Sequence, residues 1–215
     1  MPNQWKKQVK TIQELSAGIT PLMPGQPERI PWTWFDTLTY TSGSTVTLDF
    51  FQAVNADKNL SNMVAAGQIP SPQFFDLYQC SIAYLIPVTS SGIVAAPTAT
   101  GAVTDVRNLS NGAANFQVAS KDYWQGPQFA LPCGGGPDAK VAIAGTYAAP
   151  NQVQKEFANN GVPDLRNRYS FWGDITLPHN QNFVWRLTWS APITLLAGNS
   201  NIKVWMDGYL YRRVL

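Results

Sequence analysis

The chain has 215 residues, of which 45% are hydrophobic, 12% aromatic and only 13% charged. This composition excludes an intrinsically disordered chain, which would be rich in charge and poor in aromatic residues, and it excludes a coiled coil or helical bundle, since Glu, Lys, Leu and Ala do not dominate. The formal net charge is +2 and the bases are concentrated at the two ends, so the body lacks the basic face that nucleic-acid binding requires.

The first 28 residues differ in character from the rest of the chain. Four apolar residues recur at the spacing of one helical stripe, three lysines lie off that stripe, and three prolines follow. Because the prolines end a helix and favour an extended chain, we predict an arm and Pro-rich linker over residues 1–28 and a folded domain over residues 29–215. The stripe is Trp5, Val9, Ile12 and Leu15, the lysines are Lys6, Lys7 and Lys10, and the prolines are Pro21, Pro24 and Pro27.

The apolar stripe and the lysines of the arm admit three interpretations. The arm docks on a neighbouring subunit, or it contacts nucleic acid or a membrane, or it folds back on its own domain. Three lysines are too few for strong binding by themselves. The basic residues at the other end of the chain, Arg212 and Arg213, are predicted together with them as weak contacts to a genome or an internal membrane.

Beyond the linker the pattern favours β structure. Residues 30–40 are rich in Trp, Phe, Thr and Tyr, and residues 45–52 alternate apolar and polar side chains, so with the turn between them they predict a hairpin. Residues 55–72 are polar and predict a long connection with one helical turn around residues 62–66. Residues 74–88 form the longest apolar run, which predicts a central strand.

The middle of the chain has weaker signals. Residues 93–106 predict one or two weak strands, and residues 114–119 and 128–131 are short strand candidates. Residues 140–148 predict a strand from their alternating apolar side chains. Residues 151–158 predict a short helix that is stopped by an Asn-Asn-Gly sequence.

The last third has the clearest strand patterns. Residues 168–177, 183–190 and 201–214 each favour a strand, and the last of them is expected to turn at Asp207 and Gly208. Eight or nine strands without a regular βαβ alternation predict one all-β domain, built as an antiparallel sandwich or barrel.

The residues that would carry catalysis or bind a metal are few and scattered. His179 is the single histidine and lies in a predicted turn without a nucleophile motif, so we interpret it as a solvated turn residue. The acids occur singly, and one histidine with two distant cysteines does not make a zinc site. We therefore predict no enzymatic activity, no cofactor, no metal site and no small-molecule substrate.

Two features of the sequence bear on the compartment in which the chain is made. It has no run of 18 apolar residues that would suggest a membrane helix, and residues 1–15 lack the apolar core of a secretory signal. We expect synthesis in a cytoplasm, where Cys80 and Cys133 stay free thiols rather than form a disulfide.

The aromatic residues allow two interpretations. Trp32 and Trp34 lie two residues apart and share one strand face, as do Trp185 and Trp189, so either pair could stack against a sugar or fill the core between two sheets. The apolar alternation around Trp185 and Trp189 favours the core. Trp124 has charged and glycine neighbours, which predicts an exposed aromatic contact on a loop.

The layout of the chain, with a charged arm, a Pro-rich linker and a β body with long Asn-, Gln- and Thr-rich connections, resembles that of single jelly-roll coat proteins of icosahedral, tailless bacteriophages. The stretches that carry the resemblance are residues 30–51, 62–70, 171–177 and 201–211. It implies an eight-stranded jelly roll of two facing four-stranded sheets, homo-oligomeric capsomers that contact other capsid proteins, and no catalytic residues. Its implied location is the virion, assembled in the host cytoplasm.

Two hypotheses of function follow. The first is a structural virion protein that self-assembles into an icosahedral capsid shell, either as the major capsid protein or as another capsid component. The alternative is a carbohydrate- or receptor-binding β-sandwich module of a virion or of a secreted protein. Large symmetric assemblies would favour the first hypothesis, and glycan binding by a monomer would favour the second.

Overall fold

A computed structural model of the chain describes residues 27–86, 101–131, 138–144, 153–159 and 168–213. Within these ranges the chain forms ten β-strands, one α-helix and one 3-10 turn. The strands are β1 (Pro27–Tyr40), β2 (Thr47–Phe50), β3 (Phe74–Leu85), β4 (Ala113–Val118), β5 (Lys121–Pro127), β6 (Asp138–Ala144), β7 (Val153–Asn159), β8 (Tyr169–Leu177), β9 (Phe183–Thr188) and β10 (Ser200–Arg213). The helix is α1 (Gly101–Ser110), and the 3-10 turn spans Gln128–Ala130.

Eight of these strands form two four-stranded sheets. The first sheet has the order β1-β10-β3-β8, the second has the order β2-β9-β4-β5, and β6 pairs with β7 in a separate two-stranded sheet. All the strand pairs are antiparallel, so the predicted all-β antiparallel sandwich is confirmed. The pairing is nested along the chain, because β1 pairs with β10, β2 with β9, β3 with β8 and β4 with β5.

One hydrophobic core fills the space between the two four-stranded sheets. Alternate side chains of each strand point into it, as the burial of Phe75 and Leu77 on β3 and of Trp185 and Leu187 on β9 shows. Trp185 stacks on Phe116 of the neighbouring strand with ring centroids 4.9 Å apart. Burying a large apolar side chain completely contributes about 1.5–3 kcal/mol, so these inward rows hold the two sheets together.

The predicted hairpin of residues 30–40 and 45–52 is wrong, because the two segments become strands of different sheets. β1 pairs with β10 and β2 pairs with β9. Between them the backbone N–H groups of Ser44 and Thr45 bond to the carbonyl oxygen of Thr41, and this turn carries the chain from one sheet to the other. A hairpin and a sandwich corner both place a short polar turn between two β patterns, so the local sequence does not distinguish them.

Three further local predictions are corrected by the structure. The segment 93–106, predicted as weak strands, contains the start of α1, whose buried Val106 and Leu109 lie three residues apart on one helix face. The helix predicted over residues 151–158 is instead β7, which pairs with β6. Residues 62–66 are irregular, with a bend at 64–65 and a turn beginning at 66, and they do not form the predicted helical turn. In such short segments the pairing partner outweighs the weak local preference.

Asp105 anchors helix α1 to the loop before β10. Its side chain is completely buried. Its Oδ1 accepts a hydrogen bond from the backbone N–H of Leu196, with an N–O distance of 2.9 Å, and its Oδ2 accepts one from the backbone N–H of Ala197, at 2.8 Å. Hydrogen bonds to a charged group are stronger than those between neutral groups, and a buried charge without them would be costly. The helix is therefore fixed to the sandwich by a polar contact as well as by its apolar face.

Replacing Asp105 with alanine is expected to destabilise the chain by roughly 2–4 kcal/mol, because two backbone N–H groups lose a charged acceptor. For a chain of this size that corresponds to a melting temperature lower by about 5–15 °C, measured by calorimetry. Thr104→Ala, at an exposed position of the same helix, is the matched control and should melt close to the wild type. Equal melting temperatures for the two variants would contradict the anchoring role.

Strand β10 passes straight through the turn that was predicted at Asp207 and Gly208. These residues pair with Gln79 and Leu77 of β3, which leaves Tyr78 as a bulge. A Cβ atom at Gly208 would lie 1.9 Å from a backbone carbonyl oxygen of β3. Glycine is therefore required where the two strands approach each other beside the bulge.

Candidate functional site

The predicted residues of the arm and the basic end have different outcomes. Trp5, Val9, Ile12, Leu15, Lys6, Lys7 and Lys10 all lie outside the described residues. β1 begins at Pro27, so the last two residues of the predicted linker belong to a strand, where Pro27 and Glu28 pair with Arg213 and Arg212. Arg212 is exposed, and its Nε lies 2.8 Å from Oε2 of Glu28, so a neighbouring acid partly offsets its charge.

The prediction of an exposed, loop-borne ring at Trp124 is corrected. Trp124 lies on β5 and is half-buried, with its ring centroid 5.4 Å from that of Tyr169 and 5.7 Å from that of Trp185. Its charged sequence neighbours Lys121 and Asp122 are exposed, whereas the indole packs against the core. The exposure of neighbouring residues in the sequence therefore did not indicate the exposure of this ring.

The other predicted residues agree with their interpretation from the sequence. Trp185 and Trp189 are core residues, so neither is available to stack against a sugar. His179 is exposed in the turn after β8. Cys80 is a free, buried thiol, and burial, with a smaller effect of the Asp207 charge, raises its pKa well above the ordinary value, so that it stays protonated near neutral pH. Cys133 lies outside the described residues.

A row of aromatic side chains covers one end of the outer surface of the first sheet, on the side away from the core. Arg29, Tyr211 and Phe74 stand side by side on β1, β10 and β3. The rings of Phe74 and Tyr211 are stacked, with centroids 4.3 Å apart and planes 7° from parallel. Phe74 is 38% exposed, so part of this apolar stack faces solvent.

The next row continues the same surface. Tyr209 lies beside Tyr211 on β10, and the guanidinium carbon of Arg29 lies 3.5 Å from the centroid of its ring. Tyr78, at the bulge of β3, meets the Tyr209 ring edge-on at 5.4 Å. Partial burial, together with a hydrogen bond to Asp76, raises the pKa of Tyr211, so its hydroxyl stays protonated at neutral pH. The rings of both rows therefore lie against one another on the solvent side of the sheet, and the Arg29 guanidinium lies over the ring of Tyr209.

At the far end of this surface a lysine, instead of an arginine, lies over aromatic rings. Phe35 on β1 and Trp205 on β10 are direct cross-strand neighbours. The Lys203 ammonium lies 4.8 Å from the Phe35 ring centroid and 6.0 Å from that of Trp205, and it donates a hydrogen bond to the Asn59 carbonyl at 3.0 Å. We call the whole surface the aromatic face, and its members are Phe35, Phe74, Tyr78, Trp205, Tyr209, Tyr211, Arg29 and Lys203.

The sequence analysis missed the aromatic face, although part of its signal was present. Residues 205, 209 and 211 on β10 are aromatic and point to the same side, but the predicted turn at Asp207 and Gly208 separated them. The rings of β1 and β3 join them only through the register of three strands.

Other kinds of site find less support in the described part of the chain. None of its helices is long and apolar enough to cross a membrane, and none of its His, Cys, Asp and Glu residues form a group of three or more that could hold a metal ion. Comparison of the chain with protein-family models, curated protein sequences and solved structures finds no significant match.

Proposed function

We propose that the chain is a structural virion protein whose copies self-assemble into an icosahedral capsid shell through the aromatic face. The observation that carries the proposal is this face, on which stacked rings and two ring-bound cations stand on the solvent side of the sheet. Tyr, Trp, Phe and Arg are the residue types enriched at the buried centres of protein interfaces, where most charged residues are depleted. The low fraction of charged residues in the whole sequence also suits the burial of surface between subunits.

The order of the strands adds support to the resemblance with coat proteins. Without the β6–β7 pair eight strands remain, and they pair first with last, second with seventh, third with sixth and fourth with fifth. An antiparallel sandwich of eight strands in two sheets is the architecture of a jelly roll, and nested pairing is what rolling up one long hairpin produces. We interpret the sandwich as a single jelly roll, and β6–β7 as an insertion between its fifth and sixth strands.

A second copy of this chain is the partner that the charges of the aromatic face favour. Arg29 and Asp76 lie in neighbouring rows of the same surface, at positions separated by Tyr209 and Tyr211. A two-fold axis that passes midway between Arg29 and Asp76, perpendicular to the line that joins them, would bring Arg29 of each copy opposite Asp76 of the other, as a self-complementary interface requires. In this proposal the arm over residues 1–28 contacts neighbouring subunits or other capsid proteins, and the assembled protein resides in the virion.

Replacing Phe74 with glutamate is expected to abolish assembly. The new carboxylate replaces a ring that stacks on Tyr211 and stands two residues from Asp76, so a charge without a partner would be buried between copies. Light scattering should then give a monomer mass for the variant and a much larger mass for the wild type, whose particles are visible by electron microscopy.

The matched control is Phe129→Glu, which makes the same chemical change at a 66% exposed ring of the 3-10 turn, outside the aromatic face. This variant should assemble like the wild type. A wild type that stays monomeric, or a Phe74→Glu variant that assembles normally, would refute the proposal. Far-UV dichroism of each variant checks that the sandwich is folded.

A further inference from the structure

A two-fold contact through the aromatic face cannot build a shell by itself. Such a contact uses the same surface on both partners, so it is complete when two copies have joined. A closed shell therefore needs a second contact, made by another part of the subunit around a rotational axis of higher order. The inference below rests on the proposed function, because it concerns how pairs of copies join further.

Two loops meet at one corner of the sandwich, at the end where β1 and β9 finish. They are residues 41–46, between β1 and β2, and residues 189–199, between β9 and β10, and we call them the loop pair. The backbone N–H of Gly43 bonds to the carbonyl oxygen of Ile193 at 2.9 Å, which joins the two loops. Since the loop pair lies at an end of the strands, it faces a different direction from the aromatic face, which lies on the broad side of the first sheet.

The loop pair is held in one position by side chains. Oγ of Ser42 accepts a hydrogen bond from the backbone N–H of Leu195 at 2.8 Å, and Oδ1 of the buried Asp105 accepts one from that of Leu196 at 2.9 Å. Leu195 is buried in the core, whereas Leu196 next to it is 61% exposed. The surface around Leu196 is therefore ordered before a partner arrives, which favours association.

Much of the exposed surface of the loop pair is apolar. Val46 is 40% exposed, Ala191 and Pro192 are exposed, and Ile193 is half-buried. Together with Leu196 they form a group of apolar side chains around small polar residues. A cluster of exposed apolar side chains is typical of a surface that contacts another protein.

The loop pair also lacks charge. None of residues 41–46 and 189–199 is charged. Arg107, on the neighbouring helix α1, is exposed, so the uncharged surface at this end is confined to the loop pair. The loops at the opposite end of the sandwich carry the exposed charged residues Asp57, Lys58 and Lys121.

An uncharged surface suits a rotational axis for a physical reason. Close to such an axis each residue lies near the same residue of the neighbouring copies. A charged side chain there would face like charges and oppose association, whereas an apolar side chain would be removed from water. We propose that the loop pair surrounds a rotational axis of the shell, where Leu196 of each copy packs against the loop pair of the next copy.

The contact through the loop pair is expected to be weak on its own, because it offers few large apolar side chains. It becomes effective when copies are already joined through the aromatic face, since each pair then brings two loop pairs to the assembly. A subunit that has lost the aromatic contact therefore stays monomeric, as expected for Phe74→Glu.

The test is Leu196→Lys in the full chain, which places the same positive charge on every copy beside the proposed axis. The two-fold contact remains, so light scattering should give a mass of twice the 23.6 kDa of one chain, while the wild type forms large particles. The matched control is Val54→Lys, at a 50% exposed apolar residue in the loop after β2, at the opposite end of the sandwich. It should assemble like the wild type.

A mixture of two variants separates charge repulsion from damage to the subunit. Leu196→Glu alone should also stop at the dimer. Mixing it with Leu196→Lys should restore species larger than either variant forms alone, because unlike charges then meet around the axis. Far-UV dichroism checks that each variant is folded.

The inference is overturned if Leu196→Lys assembles like the wild type, if it gives a monomer, or if the mixture stays at the dimer mass. In each of these cases wild-type particles would leave the capsid proposal standing. A wild type that is itself monomeric would instead refute the capsid proposal, and the second contact with it.

Discussion

Replacing Trp185 with alanine is expected to lower the free energy of unfolding by about 3–5 kcal/mol, because removal of the buried ring leaves a cavity that the sheets cannot close. Trp185 is fully buried on β9, one of the two inner strands of the second sheet, and its ring contacts those of Phe116 and Trp124 at centroid distances of 4.9 and 5.7 Å. Urea denaturation followed by far-UV dichroism measures the change as a lower midpoint at an unchanged slope.

Trp185→Phe is the control that separates ring packing from polarity. Nε1 of Trp185 is buried and has no hydrogen-bond partner, so phenylalanine removes an unsatisfied N–H as well as some volume. The loss for this variant should be much smaller, about 1–2 kcal/mol. If Trp185→Phe lowered the free energy of unfolding as much as Trp185→Ala does, the filled core would not be what the ring contributes to stability.

Replacing Gly208 with alanine is expected to cost about 3 kcal/mol or more, although it adds only one methyl group. The new Cβ would lie 1.9 Å from the carbonyl oxygen of Asp76 and 2.7 Å from Cζ of Phe75. The oxygen belongs to the backbone of the paired strand, so the ladder between β10 and β3 would have to separate locally. A melting temperature lower by roughly 5–15 °C measures this effect.

Gly173→Ala is the comparison for that variant. Gly173 lies on β8 of the same sheet, and a Cβ there would have no atom within 4 Å. Because alanine also restricts the unfolded chain, this substitution should be neutral or slightly stabilising. Similar melting temperatures for the two alanine variants would show that the approach of the strands at Gly208 does not limit stability.

The sequence predicts strands correctly where apolar and polar side chains alternate strongly. It predicts less where the structure of a segment depends on the distant strand with which it pairs. Patterns over residues 74–88 and 183–190 correspond to β3 and β9, and they were sufficient for the sandwich. The hairpin of residues 30–40 and 45–52 failed because the true partner of β1 is β10, 174 positions away at Thr33 and Asp207. The helix expected over residues 151–158 failed because a pairing with β6 overrides a weak local preference.

The candidate sites were harder to predict than the fold. The aromatic face needs the register of three strands, which alternation within one strand does not contain. Asn62 lies in a connecting loop and bonds the backbone of β1 at Thr33 and Phe35, and nothing in its sequence surroundings indicates this contact. Trp32 was recognised as a candidate for sugar stacking, but its exposure depends on its position at the end of the core.

The nested strand pairing also determines when the subunit can fold during its synthesis. β1 leaves the ribosome early, but its partner β10 is made about 174 residues later, which at about 5–20 residues per second is a delay of roughly 10–35 s. Until then β1 and β3 lack the strand that lies between them. The aromatic face, which spans these three strands, therefore cannot form before β10 has been synthesised, and chains that have not reached this point cannot associate through it.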